Sequence, residues 1–412
     1  MSEVNSSYDV SLVRSHFPIL ARRIYGCPLV YLDTAASAQK PKAVMNAMTD
    51  LLENDYANVH RGLHFLANRS TEIYEDARVT VQRYLNAAAA SEIIFTRSAT
   101  GALNLVASSL GKLLNLSTGD EIVLSMMEHH ANIVPWHFWR ERYGVVFKWA
   151  RVDAKGNLSI EAITEQISNR TKVVAVTHMS NVLGTISPIK ELGNICRSLE
   201  IPLVVDGAQG AVHLPVDVQD LRPDFYCFTG HKAYGPTGIG VLYGRSEWLD
   251  KMPPFEGGGE MIDSVSRDSV SYNQSPHRFE AGTPPIMEAA GLQAALRFVE
   301  TLGRSAISAH EDQLRAYAEE RLDALGYVDI LGRAHAKGAI VSFNVRGRHS
   351  HDVATILDRL GIAVRAGSHC ASPLLDDLGI SSSCRASFGL YSSMEDIDSL
   401  VVGVEKARRL LG

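Results

Sequence analysis

The sequence predicts an α/β fold: a mostly parallel sheet covered by helices, followed by a smaller α+β domain. Three observations lead there. Seven short apolar runs alternate with helical patterns between residues 92 and 244, the rhythm of strand–helix units. Residues 252–285 then lose helical periodicity and fill with Gly, Pro and Ser. Beyond them the pattern becomes a short mixed series of strands and helices that runs to the end of the chain. With 412 residues, 46% hydrophobic and 21% charged, the chain has a globular composition. It is long enough for two or three domains.

The seven runs are Glu92–Thr96, Glu121–Ser125, Val145–Ala150, Lys172–Thr177, Leu203–Asp206, Phe225–Phe228 and Gly238–Tyr243. The first is followed by an amphipathic stretch carrying Leu103, Leu105, Val106, Leu110, Leu113 and Leu114. Ligands of open α/β sheets bind beyond the carboxyl ends of the strands. The polar residues at 96–100, 125–130, 177–181, 206–209 and 229–232 are therefore the first places to look. Met252–Pro285 reads as an irregular excursion with one hairpin, and long loops of this kind usually serve function or a partner. Helices are expected over Ile286–Leu302 and onward to Leu325. They precede a strand Ala339–Val345, a helix Ser350–Leu360, strands Ile362–Arg365 and Cys384–Phe388, and a helix Met394–Leu411. The expected division is an N-terminal segment 1–22 packing on the small domain, a large domain 23–285 and a small domain 286–412.

Several function classes are disfavoured. Lys and Arg number 40 against 46 Asp and Glu, a net charge of −6, which leaves no basic field for nucleic acid. No apolar run approaches the ~18 residues of a membrane span. The amino terminus has neither a secretory nor a transit pattern, so a cytoplasmic protein is expected. The five cysteines, Cys27, Cys196, Cys227, Cys370 and Cys384, are odd in number and form no CxxC pair. Neither a disulfide framework nor a metal site is expected from them.

Asp206 ends the apolar run Leu203-Val204-Val205, where a desolvated carboxylate needs a cation or donor; capping the next helix is the plainer alternative. Lys232 follows another strand in a Gly-rich turn, where a lysine facing a pocket can lose basicity and form a Schiff base. Together the two supply a carboxylate for a pyridinium nitrogen and an amine for an aldehyde, the groups that pyridoxal phosphate (PLP) needs. Ser98-Ala99-Thr100-Gly101 opens a helix and suits a phosphate, with Thr229 and His231 able to complete the cup. In Glu128-His129-His130-Ala131-Asn132 an imidazole could stack on a flat cofactor and move protons. Metal ligation is discounted because adjacent histidines rarely converge on one ion. Cys370 sits among small and polar residues near Arg365 and His369, a setting for a nucleophilic thiol, whereas Cys227 between Tyr226 and Phe228 looks like core. Arg385 could clamp a substrate carboxylate.

In order along the chain, these motifs closely resemble the PLP-dependent cysteine desulfurases, class-V aminotransferase relatives, in the group II type of the Suf iron–sulfur pathway. The matching stretches include Tyr31-Leu32-Asp33-Thr34-Ala35-Ala36, Asn58-Val59-His60-Arg61-Gly62, Met127 to Asn132, Ser180-Asn181, Asp206 to Gln209 and Thr229 to Lys232. They continue with Phe255 to Gly259, Phe279 to Pro284, Arg365-Ala366-Gly367, His369-Cys370 and Cys384 to Ser387. The resemblance implies fold type I of PLP enzymes, with a seven-stranded large domain, a small C-terminal domain and a homodimer. It implies Lys232 as the Schiff-base lysine, Asp206 on the pyridine nitrogen, Gln209 on the phenolic oxygen and His129 stacked on the ring. Ala99, Thr100, Thr229 and His231 should hold the phosphate, with Thr283 reaching in from the other subunit. Asn181 and Arg385 should bind the substrate carboxylate, Arg365 should lie near the substrate, and Cys370 should carry the persulfide. The sequence departs from the family pattern at Ser368, where a second histidine is common, at Pro285, where asparagine is usual, and at Thr229, where serine is frequent. The implied reaction converts L-cysteine to L-alanine and passes sulfur to an acceptor protein for iron–sulfur cluster assembly. The rivals are a selenocysteine lyase acting on L-selenocysteine and, more distantly, an aminotransferase or epimerase, or a non-catalytic sulfur-transfer scaffold.

Overall fold

Seven strands build the central sheet of the computed structural model, which describes residues 8–412; the start of the expected segment 1–22 thus lies outside the described residues. In spatial order they are Ile93–Thr96, Gly240–Gly244, Phe225–Thr229, Leu203–Asp206, Thr171–Thr177, Glu121–Ser125 and Val146–Ala150. All seven apolar runs became strands of this one sheet. Gly240–Gly244 alone runs against its neighbours, and the remaining pairs are parallel. Four consecutive buried residues in Leu203–Asp206 and five in Phe225–Thr229 mark strands covered on both faces, as parallel sheets require.

The small sheet orders Val328–Leu331, Ile340–Val345, Ser383–Ser387 and Arg365–Gly367, all antiparallel. Its core includes Phe343, Val341, Leu357 and Leu400. Val328–Leu331 was not expected, because four residues, only one of them buried and one polar, carry little pattern. The expected strand Ile362–Arg365 is two strands. Ile362–Ala363 pairs parallel with Val30–Tyr31, and the chain turns before Arg365–Gly367 joins the small sheet. Val30 and Leu32 accordingly sit in the small-sheet core. Helix Ile286–Leu302, expected in the small domain, packs against helices Lys42–Asp50 and Phe65–Leu85. Its apolar face, with Ala289, Leu292 and Leu296, belongs to the core under the large sheet.

The N-terminal helix Val10–Ser15 touches both sides. Arg14 pairs with Asp396 at 2.7 Å, and the Tyr8 hydroxyl donates to the Leu390 carbonyl at 2.6 Å. Phe17 lies edge-on to Tyr391 and Tyr234. The excursion contains the expected hairpin, Ile262–Val265 with Val270–Tyr272. No helix among the described residues is long and apolar enough to cross a membrane.

Candidate active site

The carboxyl ends of the parallel strands meet the small sheet in a cavity of roughly 230 Å³. Every residue singled out from the sequence lines it except Thr283. Thr283 is exposed and lines a separate cavity with Arg97, Phe255 and Glu256.

At the floor, Asp206 and Lys232 come from adjacent strand ends. Asp206 is 4% exposed, and Oδ1 accepts from the Ala208 N–H at 2.9 Å, so its carboxylate braces its own turn. Burial pushes its pKa up, with Ala208 and Lys232 opposing. Among the described residues Lys232 is the one cation acting on it, so a protonated ring nitrogen would complete its environment. Burial lowers Lys232 to about 8, against the pull of Asp206, which puts free amine within reach near neutral pH. Gln209 Nε2 donates to the Ala35 carbonyl at 2.8 Å. An amide carries two hydrogens there, and Gln209 Oε1 is buried with no partner.

Helix Ala99–Leu113 points its amino end at the cavity. Ser98 Oγ caps Gly101 at 3.1 Å, which leaves the Ala99 and Thr100 amides for an anion. This cup exists because Gly240, paired with Thr96 on one side and Thr229 on the other, has no side chain. A Cβ there would stand 2.1 Å from the Ser98 backbone. His231 Nδ1 lies 3.2 Å from Ser37 Oγ, and burial drops the ring to about 4, so it faces the cup neutral.

His129 forms a wall. Its Nδ1 accepts from the Ala131 N–H at 3.0 Å, so the ring proton resides on Nε2. Burial, helped by Lys232 and other cations, lowers its pKa to about 3. Beside it lies Glu128, to which the motif pattern gave no role, fully buried and raised by burial to about 8. It takes hydrogen bonds from Asn132 Nδ2 at 2.7 Å, the Thr177 N–H at 2.8 Å and the Ser125 hydroxyl. This network ties the His129 loop to the strand that ends at Thr177.

The roof comes from the small sheet. Arg365 and Arg385 are register partners on neighbouring antiparallel strands, so two like charges share one face above the cavity. Such a pair is unfavourable, and Asp33 offsets it. Asp33 Oδ1 accepts from Arg385 Nη2 at 3.1 Å, while Nη1 donates to the Asn181 carbonyl at 2.9 Å. Arg385 Nε is buried without a partner, a donor left for an incoming carboxylate. Asp33 was missed as a functional residue, although it ends a short apolar run, Val30-Tyr31-Leu32, as Asp206 does.

Cys370 hangs in a loop held at several points. Its carbonyl accepts from the His130 N–H at 2.8 Å, and the Ser372 N–H donates to His130 Nε2 at 3.1 Å. The His369 carbonyl accepts from Asn181 Nδ2 at 2.7 Å. The His369 ring points away from the thiol, with Nε2 3.0 Å from both Ser383 Oγ and its carbonyl. His369 and Cys370 have φ of 54° and 57°, a left-handed step that turns the loop toward the cavity. His130 therefore fastens the cysteine loop to the large sheet, and the large ring-to-ring distance to His129, 6.2 Å, fits two separate tasks.

Comparison with known proteins agrees with this geometry. Residues 30–400 match the aminotransferase class-V family. A probable cysteine desulfurase of Halalkalibacterium halodurans is 47% identical over 97% of this chain and 98% of its own. A cysteine desulfurase of Pectobacterium atrosepticum is 45% identical over 98% of this chain and 100% of its own. Among solved structures, the cysteine desulfurase of Thermococcus onnurineus superposes with a TM-score of 0.92 at 39% identity, covering 97% of this chain and 98% of that one. A cysteine desulfurase of Escherichia coli in an S-sulfonic acid form gives 0.89 at 38%, over 98% and 100%. In sequence, fold and the cavity between its two sheets, the chain belongs to the aminotransferase class-V family, among the cysteine desulfurases.

Proposed function

We propose that this protein is a PLP-dependent cysteine desulfurase that converts L-cysteine to L-alanine and collects the sulfur on Cys370. The observation that carries the reading is the shared cavity: Lys232 and Asp206 at the floor, with Cys370 and Arg385 above them. PLP, when bound, supplies an aldehyde that captures the amino group and an electron sink for the substrate Cα. The chain fits it. Asp206 offers a buried carboxylate for a ring cation, the Ala99 and Thr100 amides form an anion cup, Gln209 has a spare amide hydrogen, and Lys232 is an amine of lowered basicity.

The chain's own residues then divide the work. Arg385, with Nε unpartnered, and Asn181 receive the substrate carboxylate, and Arg365 adds charge above it. Lys232, with its amine free, is the base placed to take the Cα proton. Neutral His129 holds a proton at Nε2, facing the same space. The Cys370 thiolate attacks the substrate sulfur. A sulfur–sulfur bond forms, and the carbon–sulfur bond breaks with its electron pair kept by the three-carbon skeleton. That skeleton leaves as alanine after protonation. The net change is cysteine plus enzyme thiol to alanine plus enzyme persulfide.

The persulfide must then leave. The loop is short and fastened by His130 and Asn181, so it cannot carry its cargo far. An acceptor protein with its own thiol, delivering sulfur to iron–sulfur cluster assembly in the cytoplasm, is the partner this geometry suits. A second copy is the other. Thr283 stands outside its own chain's cavity, and Leu63 and Phe65, beside His60 and Arg61, are 99% and 72% exposed. A C₂ pair that covers these residues and completes each phosphate cup is expected to sediment as a dimer; a fully active monomer would refute it.

The deciding experiment is mass spectrometry after one exposure to cysteine. A single added sulfur should map to the peptide containing Cys370, and Lys232→Ala should make neither persulfide nor alanine. Sulfur on Cys27, Cys196, Cys227 or Cys384 instead would overturn the mechanism. Running the assay with selenocysteine in parallel distinguishes the lyase alternative, which retains activity in Cys370→Ala.

A further inference from the structure

Away from the active-site cavity, His60, Glu260 and His277 bring three ligand atoms within 4.8 Å of one another. His60 lies in the loop before helix Phe65–Leu85. Glu260 precedes the excursion's hairpin and His277 follows it. The polar atoms here do not satisfy one another. His60 Nε2 sits 2.9 Å from Glu75 Oε1. Glu75 also accepts from Arg78, through Nε at 2.9 Å and Nη2 at 3.2 Å. Glu75 is therefore an acceptor, and Nε2 carries the ring proton. That leaves the His60 Nδ1 lone pair 3.1 Å from Glu260 Oε1, with no aligned hydrogen bond. His277 Nδ1 is likewise buried without a partner. A divalent cation would satisfy all three donor atoms.

We propose that His60, Glu260 and His277 form a zinc site that clips the base of the hairpin to the loop before helix Phe65–Leu85. Two imidazoles and a carboxylate suit zinc, with water in the fourth position. The surroundings are those of a metal ligand set. The far nitrogen of His60 is oriented by Glu75, a carboxylate–histidine arrangement of the kind that fixes a metal-binding ring. Glu260 Oε2 is held by Arg61 Nε at 2.8 Å. His60 and Glu260 both keep left-handed backbone, φ 67° and 68°, which persists where surrounding structure demands it. At tetrahedral zinc, donor atoms stand roughly 3.4 Å apart. The His60–Glu260 pair, at 3.1 Å, already meets that spacing, and His277 lies within the 4.8 Å that encloses all three atoms. The site goes beyond the desulfurase reading, and its ligands line no part of the catalytic cavity.

The test uses PLP-loaded protein carrying Cys370→Ser, which removes the reactive thiol as a competing ligand. Equilibrium dialysis against chelator-buffered zinc chloride, followed by elemental analysis, should find one zinc per chain. His277→Gln and Glu260→Gln should each weaken that binding about tenfold or more. Zinc should slow amide exchange in residues 262–272 of the parent and leave both variants unchanged. Either variant decides alone if its cofactor absorbance matches the parent. Parent-like zinc affinity in a correctly loaded variant overturns the site, as does the absence of zinc binding in the parent. Zinc that binds without protecting the hairpin overturns the clip.

Discussion

Arg385 is 2% exposed and sits directly across the small sheet from Arg365. Burial lowers the pKa of Arg385, and Asp33 opposes that shift. The guanidinium is thus held in place by the chain itself, with Nε still free. Losing a charge-assisted hydrogen bond costs on the order of 1.5–3 kcal/mol. Arg385→Ala should therefore weaken cysteine binding by about ten- to a hundredfold while the cofactor stays bound. The check is the Michaelis constant for cysteine beside the cofactor absorbance. An unchanged constant, with substrate release fast relative to chemistry, would contradict the carboxylate role. The positions of both arginines were visible in the sequence as motif residues. Their direct opposition was not, because register between strands 18 residues apart depends on where the intervening loop turns.

At the scale of elements, one close approach shapes the candidate site and another locks the excursion to the large domain. Strand Gly240–Gly244 lies so near the Ser98 backbone that Gly240→Ala has no room for its methyl. The helix that starts at Ala99 must then retreat from the phosphate position. PLP affinity, measured by absorbance titration, should fall by about tenfold or more, and the protein should stay folded because the strand is short and paired on both sides. Affinity equal to the parent would remove the phosphate cup from that helix end. The second approach is the ion pair between helix Phe65–Leu85 and the end of the excursion. Arg78 Nη1 donates to Glu280 Oε1 at 2.6 Å, with both side chains buried. Glu280 also accepts from the Phe95 N–H and the Tyr74 hydroxyl. Arg78→Met strands that carboxylate among neutral donors and should cost about 3–5 kcal/mol, read as a lower denaturation midpoint. A loss below about 1 kcal/mol would show that the pair behaves as a surface one.

For the whole molecule, the buried histidines make stability depend on pH. Burial holds His129 and His369 near 3 and His178 and His231 near 4, all below the ordinary 6.5 of a free imidazole. Below about pH 6.5 the unfolded chain binds protons that the folded chain refuses, so stability falls as pH drops. Glu128 acts oppositely. Burial raises it to about 8, so the folded chain keeps a proton that the unfolded chain releases above about 4.5, and stability from this group is lost as pH rises toward 8. His277 and His310, also lowered by burial, act with these rings, and Asp33, Asp206 and Asp396, raised by burial, act with Glu128. Between pH 4.5 and 6.5 the histidines set the direction. The urea midpoint of the cofactor-free protein should rise from pH 4.5 to 6.5, then level or fall toward pH 8. A midpoint flat from 4.5 to 6.5 would show that these rings are not buried neutral.

The seven large-sheet strands could be read from residues because each is a short run buried on both faces, and such runs are apolar throughout. Asp206, Lys232 and Cys370, which line one cavity, stand out in the sequence because each breaks the texture around it: a charge after an apolar strand, an amine in a glycine turn, a thiol among small polar residues. Short strands such as Val30–Tyr31 and Val328–Leu331 could not, since two to four residues carry too little periodicity to separate strand from loop. Nor could the packing of Ile286–Leu302 under the large sheet, because an apolar helical face fits either core. Asp33 against Arg385, His130 under the cysteine loop, Glu128 behind His129 and the His60–Glu260–His277 cluster all join residues far apart in the chain. Local sequence specifies which groups are present and where strands end. Long-range packing alone specifies which of those groups face one another, and with that their charge states and their chemistry.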